Sequence, residues 1–282
     1  MAAQLKKKEY LIVKEIGEKQ FKDIKKWFTA YIFKFKNGDE NYLRNIILKE
    51  EHTLRVCNEI LYIGKNLGLK NHELRLAETI ALLHDIGRFE QYDKYRTFSD
   101  RKSEDHASLG LKILEKYNVL KDIDEFNKKL IFRTIECHNK ASLPKNESNI
   151  FLFYIKLLRD ADKLDIWKVV TDYYQRQNSS RNSAVELDLP DTDGFSESVY
   201  QDLIGKKIVD FSNIKNLNDF KLLQIGWIFD INFASTLRRI QSRRYLEFIR
   251  DVLPKSPEIQ RVFNVVDNHL KQRLEEAGEK VF

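Results

Sequence analysis

The 282-residue chain reads as an all-α protein, and three observations predict this. Glycine (10) and proline (4) are scarce, so a turn-dense β architecture lacks the residues that would punctuate it. Lysine, glutamate, leucine and isoleucine dominate, and most of these are good helix formers. Apolar side chains recur at i, i+3, i+4 and i+7 along most of the length, the period of a helix with one buried face. A hydrophobic content of 42% supplies a sizeable core, enough for one large domain or a core domain with a helical extension.

The first predicted helix spans residues 17–36, with Phe21, Ile24, Trp27, Phe28, Tyr31, Ile32 and Phe35 on its apolar side. That stripe suits core packing, or a dimer surface. Lys36-Asn37-Gly38-Asp39 stops it. A long helix from Glu40 to about Leu67 places His52, Val56, Ile60, Ile63 and Leu67 on one stripe, and Gly68 ends it. The next helix begins near Asn71. Over residues 73–86 it aligns Leu76, Ala77, Ile80, Leu83 and His84, with Gly87 as its stop. Glu90 to Glu104 reads as a loop. Ser103 or Asp105 then caps a helix carrying His106, Leu109, Ile113 and Tyr117. Residues 124–138 carry Leu130, Ile131, Thr134, Ile135 and His138, and residues 148–174 carry Ile155, Leu158, Asp162, Asp165, Ile166 and Val169. A polar stretch from Asn178 to Ser198, with Pro190 and Gly194, reads as a long surface loop. Beyond it, helices are expected over 197–208, about 216–250 and 257–275, the last two parted by Pro254 and Pro257. There is no internal repeat.

Composition excludes several classes. The net charge of +6 is a modest excess that suits a small anionic substrate without arguing for nucleic acid. The two cysteines, Cys57 and Cys137, have no CxxC partners, which removes zinc-finger and thiol-redox motifs and fits a reducing cytosol. The first eight residues lack an apolar signal core, and no run of about 18 apolar residues predicts a membrane span. A cytoplasmic location is therefore expected.

Four of the six histidines, His52, His84, His106 and His138, fall on predicted core faces at or near helix ends, while His72 and His269 read as surface residues. A single histidine on an apolar face is usually a hydrogen-bonded core residue. Four of them, with Asp85 beside His84 and Asp162 facing inward one turn after Leu158, call for a common partner. A buried carboxylate is costly unless paired, and His/carboxylate sets suit divalent metal ions. Asp165 lies one turn further along and is expected to orient a histidine, whereas Asp160 looks less inward.

At this point the residues resemble a known family. His52, His84-Asp85 and Asp162, with Ala81-Leu82-Leu83-His84-Asp85-Ile86-Gly87 and Ala161-Asp162-Lys163-Leu164-Asp165, look like the H…HD…D signature of the HD-domain metal-dependent phosphohydrolases. The resemblance covers roughly residues 45–175. It implies an all-α core that holds a metal; with the polar stretch at Asn178 as the internal boundary, the chain reads as N-terminal helices (1–44), an HD-type core (45–178) and a C-terminal helical extension (179–282) that the resemblance does not cover. The resemblance further implies one or two divalent ions (Mn, Fe, Mg, Zn, Co or Ni). His52, His84, Asp85 and Asp162 would hold one ion. His106 and His138 match the extra histidines of binuclear members and would hold the second with a bridging Asp85. His138 is followed by Asn139-Lys140 rather than by a second histidine and Gly-Tyr-Pro, which disfavours the cyclic-di-GMP-cleaving branch.

The implied chemistry is hydrolysis of a phosphomonoester or phosphodiester, with nucleotides favoured, by metal-activated water. Asp85, Arg88 and Lys163 are the expected catalytic residues. Arg88, Lys163, Lys140, Arg101 and Lys102 are the expected contacts to a small anionic phosphate. Tyr92, Tyr95 and Phe98 serve either as a wall for a base or sugar or as loop packing. The Arg238, Arg239, Arg243 and Arg244 cluster reads as a solvated face rather than a nucleic-acid contact. A homodimer is compatible with the chain and a membrane partner is not expected. Two rival readings remain: a mixed-valent di-iron oxygenase resembling myo-inositol oxygenase, and a non-catalytic nucleotide-binding regulator.

Overall fold

The computed structural model describes residues 13–175 and 181–278, and among these it is all-α, with no strand. The first eight residues, read above for a leader, and the start of the polar stretch at Asn178 lie outside the described residues. The chain forms two compact units that part between Asp165 and Ile166, inside a long helix.

The first unit contains α1 (Glu18–Phe33), α2 (Glu40–Asn66), α3 (Asn71–Leu83), α4 (Gly87–Tyr95), α5 (His106–Lys116), α6 (Glu125–Cys137) and the first part of α7 (Asn149–Gln175). Local chemistry sets the starts. Asp39 accepts from the Tyr42 amide, Asp105 from that of Ser108, and Asp124 from those of Phe126 and Asn127, each satisfying donors that a first turn leaves unpaired. α3 is the central helix. Leu76, Ala77, Ile80, Ala81 and Leu83 are fully buried and Leu74 and Leu82 nearly so, a helix apolar on most sides. It packs against α1, α2 and α6.

Two expectations are corrected at its end. The segment from Glu90 onward is not all loop, because α4 runs from Gly87 to Tyr95 and closes on Arg96 in the left-handed region (φ 54). The 90–104 stretch is polar on its exposed side, yet Phe89 and Gln91 are fully buried and tie it to the core. Gly87 also does more than stop α3. A Cβ there would lie 2.1 Å from the His106 carbonyl oxygen and 2.7 Å from the Gly110 amide nitrogen, so glycine lets α4 and α5 meet backbone to backbone. Gly87→Ala is therefore expected to destabilise the fold by about 1–3 kcal/mol, because backbone, unlike a flexible side chain, cannot step aside. Gly110→Ala, whose nearest atoms would be Ile86 Cγ2 at 3.3 Å and Gly87 N at 3.4 Å, should cost less. Equal denaturation midpoints for the two variants would contradict this account.

The second unit holds the end of α7, α8 (Ser183–Glu186), α9 (Glu197–Ile204), α10 (Leu217–Gly226), α11 (Ala234–Ser242), α12 (Tyr245–Asp251) and α13 (Pro257–Glu276). The single helix expected over 216–250 is broken by a 3-10 turn at Trp227–Asp230, an extended Phe233 and Arg244 at φ 55. Continuous apolar periodicity cannot reveal such breaks, because each short helix keeps the same phase locally. The polar stretch before Ser198 contains the short α8. In α13, Ser256 caps, Pro257 fits the first turn, and Ile259, Val262, Phe263, Val266, Leu270 and Leu274 face inward. His269, expected at the surface, is half-buried with its ring 5.0 Å from that of Phe229. Arg243 and Arg244 of the basic cluster lie over the rings of Tyr245 and Phe248. No helix among the described residues is long and apolar enough to cross a membrane.

Candidate metal centre

Five helices of the first unit, α2, α3, α5, α6 and α7, bring the predicted ligands together, and hydrogen bonds from Nδ1 aim the four histidines. His84 and His138 are the C-caps of α3 and α6. Carbonyls at a helix end have no partner within the helix. The His84 Nδ1 donates to the Ala81 carbonyl at 2.7 Å, and the His138 Nδ1 to the Ile135 carbonyl at 2.6 Å. His106, the first residue of α5, has its Nδ1 2.7 Å from Asp100 Oδ2. His52 has its Nδ1 2.7 Å from Asp165 Oδ2. His52 sits in the middle of α2 rather than near a helix end, so a carboxylate from α7 does for it what a free carbonyl does for His84. In all four rings Nδ1 is committed to an acceptor, which leaves Nε2 as the free ligand nitrogen.

The four Nε2 atoms converge on Asp85, which is 3% exposed. Its two oxygens face different histidine pairs. Oδ2 lies 3.4 Å from His52 Nε2 and 3.8 Å from His84 Nε2, whereas Oδ1 lies 3.3 Å from His106 Nε2 and 3.9 Å from His138 Nε2. Asp162 Oδ1 adds a further oxygen, 3.1 Å from His52 Nε2 and 3.6 Å from His84 Nε2. Three overlapping ligand triads result: His52–His84–Asp85, His84–His138–Asp162 and Asp85–His106–His138.

This donor set fits divalent ions. The buried Nε2 atoms of His52 and His84 have no hydrogen-bond partner. His106 Nε2 and His138 Nε2 lie 3.0 Å apart. With both Nδ1 atoms donating, these are two lone pairs facing each other, an arrangement that a shared cation relieves. A proton is a poor candidate, since burial and then the neighbouring His106 and His84 push His138 down to about 3. The other side of the cluster differs. Burial and the Lys49 charge oppose protonation of His52, but the carboxylates of Asp162, Asp165 and Asp85 beside it outweigh them and raise it to about 10. Asp85 and Asp162 are held well below the ordinary carboxylate range. Burial opposes this, but Lys49, His84 and His52 outweigh it at Asp85, and His52 and His84 do so at Asp162.

The sign of a pH effect follows. An ion at His52 must displace the proton that the metal-free cluster holds there, so below about pH 10 its apparent affinity should rise with pH. Loading at pH 8 is expected to release about one proton for that ion, as metal binding to protonated ligands does. Calorimetric titration of Mn²⁺ in buffers of differing ionisation enthalpy would measure it. Release of no proton would mean that His52 is not a ligand.

The structure adds residues that the sequence reading missed. Lys49, one turn before His52, places Nζ 2.8 Å from Asp85 Oδ2. Asp100 accepts from His106, Arg88, Gln91 and Asn139, holding together the segment that presents His106. Arg55 donates to both oxygens of Asp165, at 2.6 and 3.1 Å, and so fixes the carboxylate that aims His52. Arg159 donates to the carbonyls of His138 and Lys140 beyond the end of α6. Lys49 and Arg55 stand three residues either side of His52 in α2, and their acceptors come from distant segments. Asp160, read as less inward, is fully buried.

The expected phosphate contacts are distributed unevenly. Arg88 has Nε 3.5 Å from Asp85 Oδ1, buried and without a hydrogen-bond partner, while its Nη1 donates to Gln91 Oε1, the Phe98 carbonyl and Asp100. Lys163 is buried at 8% exposure. Lys140 reaches Asp105 at 2.7 Å, and Arg101 and Lys102 are exposed on a 3-10 turn. Tyr92 and Phe98 are buried and stack on each other, with the Tyr92 hydroxyl accepting from Asn45, whereas Tyr95 is exposed.

Residues 50–167 match the family model described as the HD domain, a stretch that contains every histidine and carboxylate of the cluster. No significant match to a curated protein or to a solved structure was found. The match to the HD domain thus spans residues 50–167, with the buried histidine–aspartate cluster at the centre of that segment.

Proposed function

We propose that the chain is a metal-dependent phosphohydrolase that uses two divalent ions. The observation that carries this reading is the division of Asp85, whose two oxygens face two separate histidine pairs. A carboxylate so placed can bridge two ions a few ångströms apart, the arrangement that suits in-line displacement at phosphorus. His52, His84, Asp85 and Asp162 would hold one ion and Asp85, His106 and His138 the other. When bound, the ions supply a water acidic enough to ionise near neutral pH and neutralise charge on a phosphoryl oxygen.

The chain's own residues supply the rest. Asp165 and Asp100 hold the rings of His52 and His106 in the tautomer that leaves Nε2 free. The Arg88 Nε, buried beside Asp85 Oδ1 with no other partner, is the donor a phosphoryl oxygen on that side would meet. Lys163 remains a proposed second contact, with Lys140, Arg101 and Lys102 as outer charges that draw in an anion. The substrate class is best sought among phosphomonoesters and phosphodiesters, nucleotides included.

The test is hydrolysis of a panel of both ester types by metal-stripped protein reloaded with Mn²⁺, Mg²⁺, Co²⁺, Ni²⁺, Zn²⁺ or Fe²⁺. Turnover restored by metal and abolished by chelation supports the reading. No turnover with any ester, together with an oxygen-dependent iron spectrum, would replace it with oxygenase chemistry. Recovery of an unhydrolysed nucleotide complex would replace it with a regulatory role.

A further inference from the structure

We propose that Lys49 couples ion binding at this centre to the arrival of an oxyanion such as a phosphate ester. This inference rests on the metal reading of the cluster. Lys49 lies on the same face of α2 as His52 and donates to Asp85 Oδ2, the oxygen turned toward His52 and His84. The carboxylate is 4% exposed at its side chain and the lysine 16%, so the ammonium links an interior ligand to the solvent side of the cluster. The Phe98 ring lies 5.3 Å from Nζ, a second support for a cation at that spot.

An ion held by Asp85 Oδ2 would sit beside this ammonium, and like charges at such a separation in a partly buried place repel. Lysine can respond in a way that a fixed group cannot, because its ammonium rides on a flexible four-carbon stem and donates in three directions. It can release Asp85 and turn outward. An oxyanion lying on the ion gives the released ammonium a partner and cancels the repulsion. Ion and anion then bind together more tightly than either alone, and the coupling is reciprocal. Arg88, the other cation at Asp85, is not free to do this, since its Nη1 is held by Gln91, Phe98 and Asp100.

A lysine that only neutralised Asp85 would have a different signature. Its loss would change ion affinity equally with and without anion. The experiment is calorimetric titration of metal-stripped protein with Mn²⁺, with and without saturating inorganic phosphate, for wild type, Lys49→Met, Lys49→Gln and Lys49→Arg. In the wild type phosphate should tighten Mn²⁺ binding about tenfold, within the usual range of site-to-site coupling. Lys49→Met and Lys49→Gln should bind Mn²⁺ more tightly than wild type without phosphate and gain about twofold or less on adding it, while Lys49→Arg keeps much of the coupling. Phosphate coupling that is unchanged in both neutral variants, or ion affinity that falls in them without phosphate, overturns the role of Lys49. Failure of the wild type to bind Mn²⁺ at all would remove the metal reading itself, which separates the two failures. Far-UV circular dichroism identifies a variant that has not folded, and the remaining neutral variant then decides the result.

Discussion

Asp85→Asn is expected to abolish tight metal binding at both halves of the cluster and to reduce turnover of any phosphate ester by at least a thousandfold, of the order lost when a central catalytic group is removed. The amide keeps the shape of the carboxylate but removes the charge that both halves use. Asp85 faces both histidine pairs, and after its loss His106 retains no carboxylate oxygen within the triads of the cluster, while His138 retains only that of Asp162. Lys49 would also lose the carboxylate it pairs with, at 2.8 Å, leaving its ammonium next to protonated His52. Helicity should persist, because α3 is held by Leu76, Ala77, Ile80 and Leu83 rather than by the centre. The shift in thermal midpoint on adding Mn²⁺ should disappear, since a ligand that no longer binds the native state cannot stabilise it by mass action. Elemental analysis and thermal melts with and without metal decide the matter. Wild-type metal content in Asp85→Asn would remove Asp85 from the centre.

His106→Ala and His138→Ala should each lower bound metal from two ions toward one, with turnover falling by about a hundredfold or more, as metal-assisted displacement loses one of its two clamps. Their Nε2 atoms lie on the Oδ1 side of Asp85, while His52, His84 and Asp162 gather on the other side. The remaining ion should bind with proton release still present, because the proton it displaces belongs to His52. A wild type that saturates at one ion would refute the binuclear arrangement, and loss of both ions in either variant would mean that the two halves are not separable. Asp100→Asn should resemble a weaker His106 variant, since the ring would exchange the charged acceptor that holds its Nδ1 at 2.7 Å for a neutral amide.

Much of the centre was legible in the chain because its ligands follow helical rules. His84 and His138 each close an apolar helix, so the last turn marks them, and Asp162 follows Leu158 by one turn. His52 was found through its stripe with Val56 and Ile60, although it stands mid-helix rather than near an end. The groups that aim these ligands were mostly hidden. The sequence analysis did not single out Asp100, Lys49 or Arg55; the partners of the last two, Asp85 and Asp165, lie 36 and 110 residues away in the chain. Charge near a histidine in sequence does not reveal which carboxylate it will meet.

The sequence by itself determined the helical class and pointed to the four histidines and two aspartates that the fold gathers into one cluster, since each depends on contacts within a few residues or on residue type alone. Only the tertiary structure decided that Gly87 is a contact between two helix backbones and that the expected helix over 216–250 breaks into shorter pieces. It alone also turned the two oxygens of Asp85 toward different histidine pairs. The physical reason is the same in each case: helical periodicity records which side of a segment is buried, but a backbone approach, a bend or a shared carboxylate is set by the neighbour that packs against it.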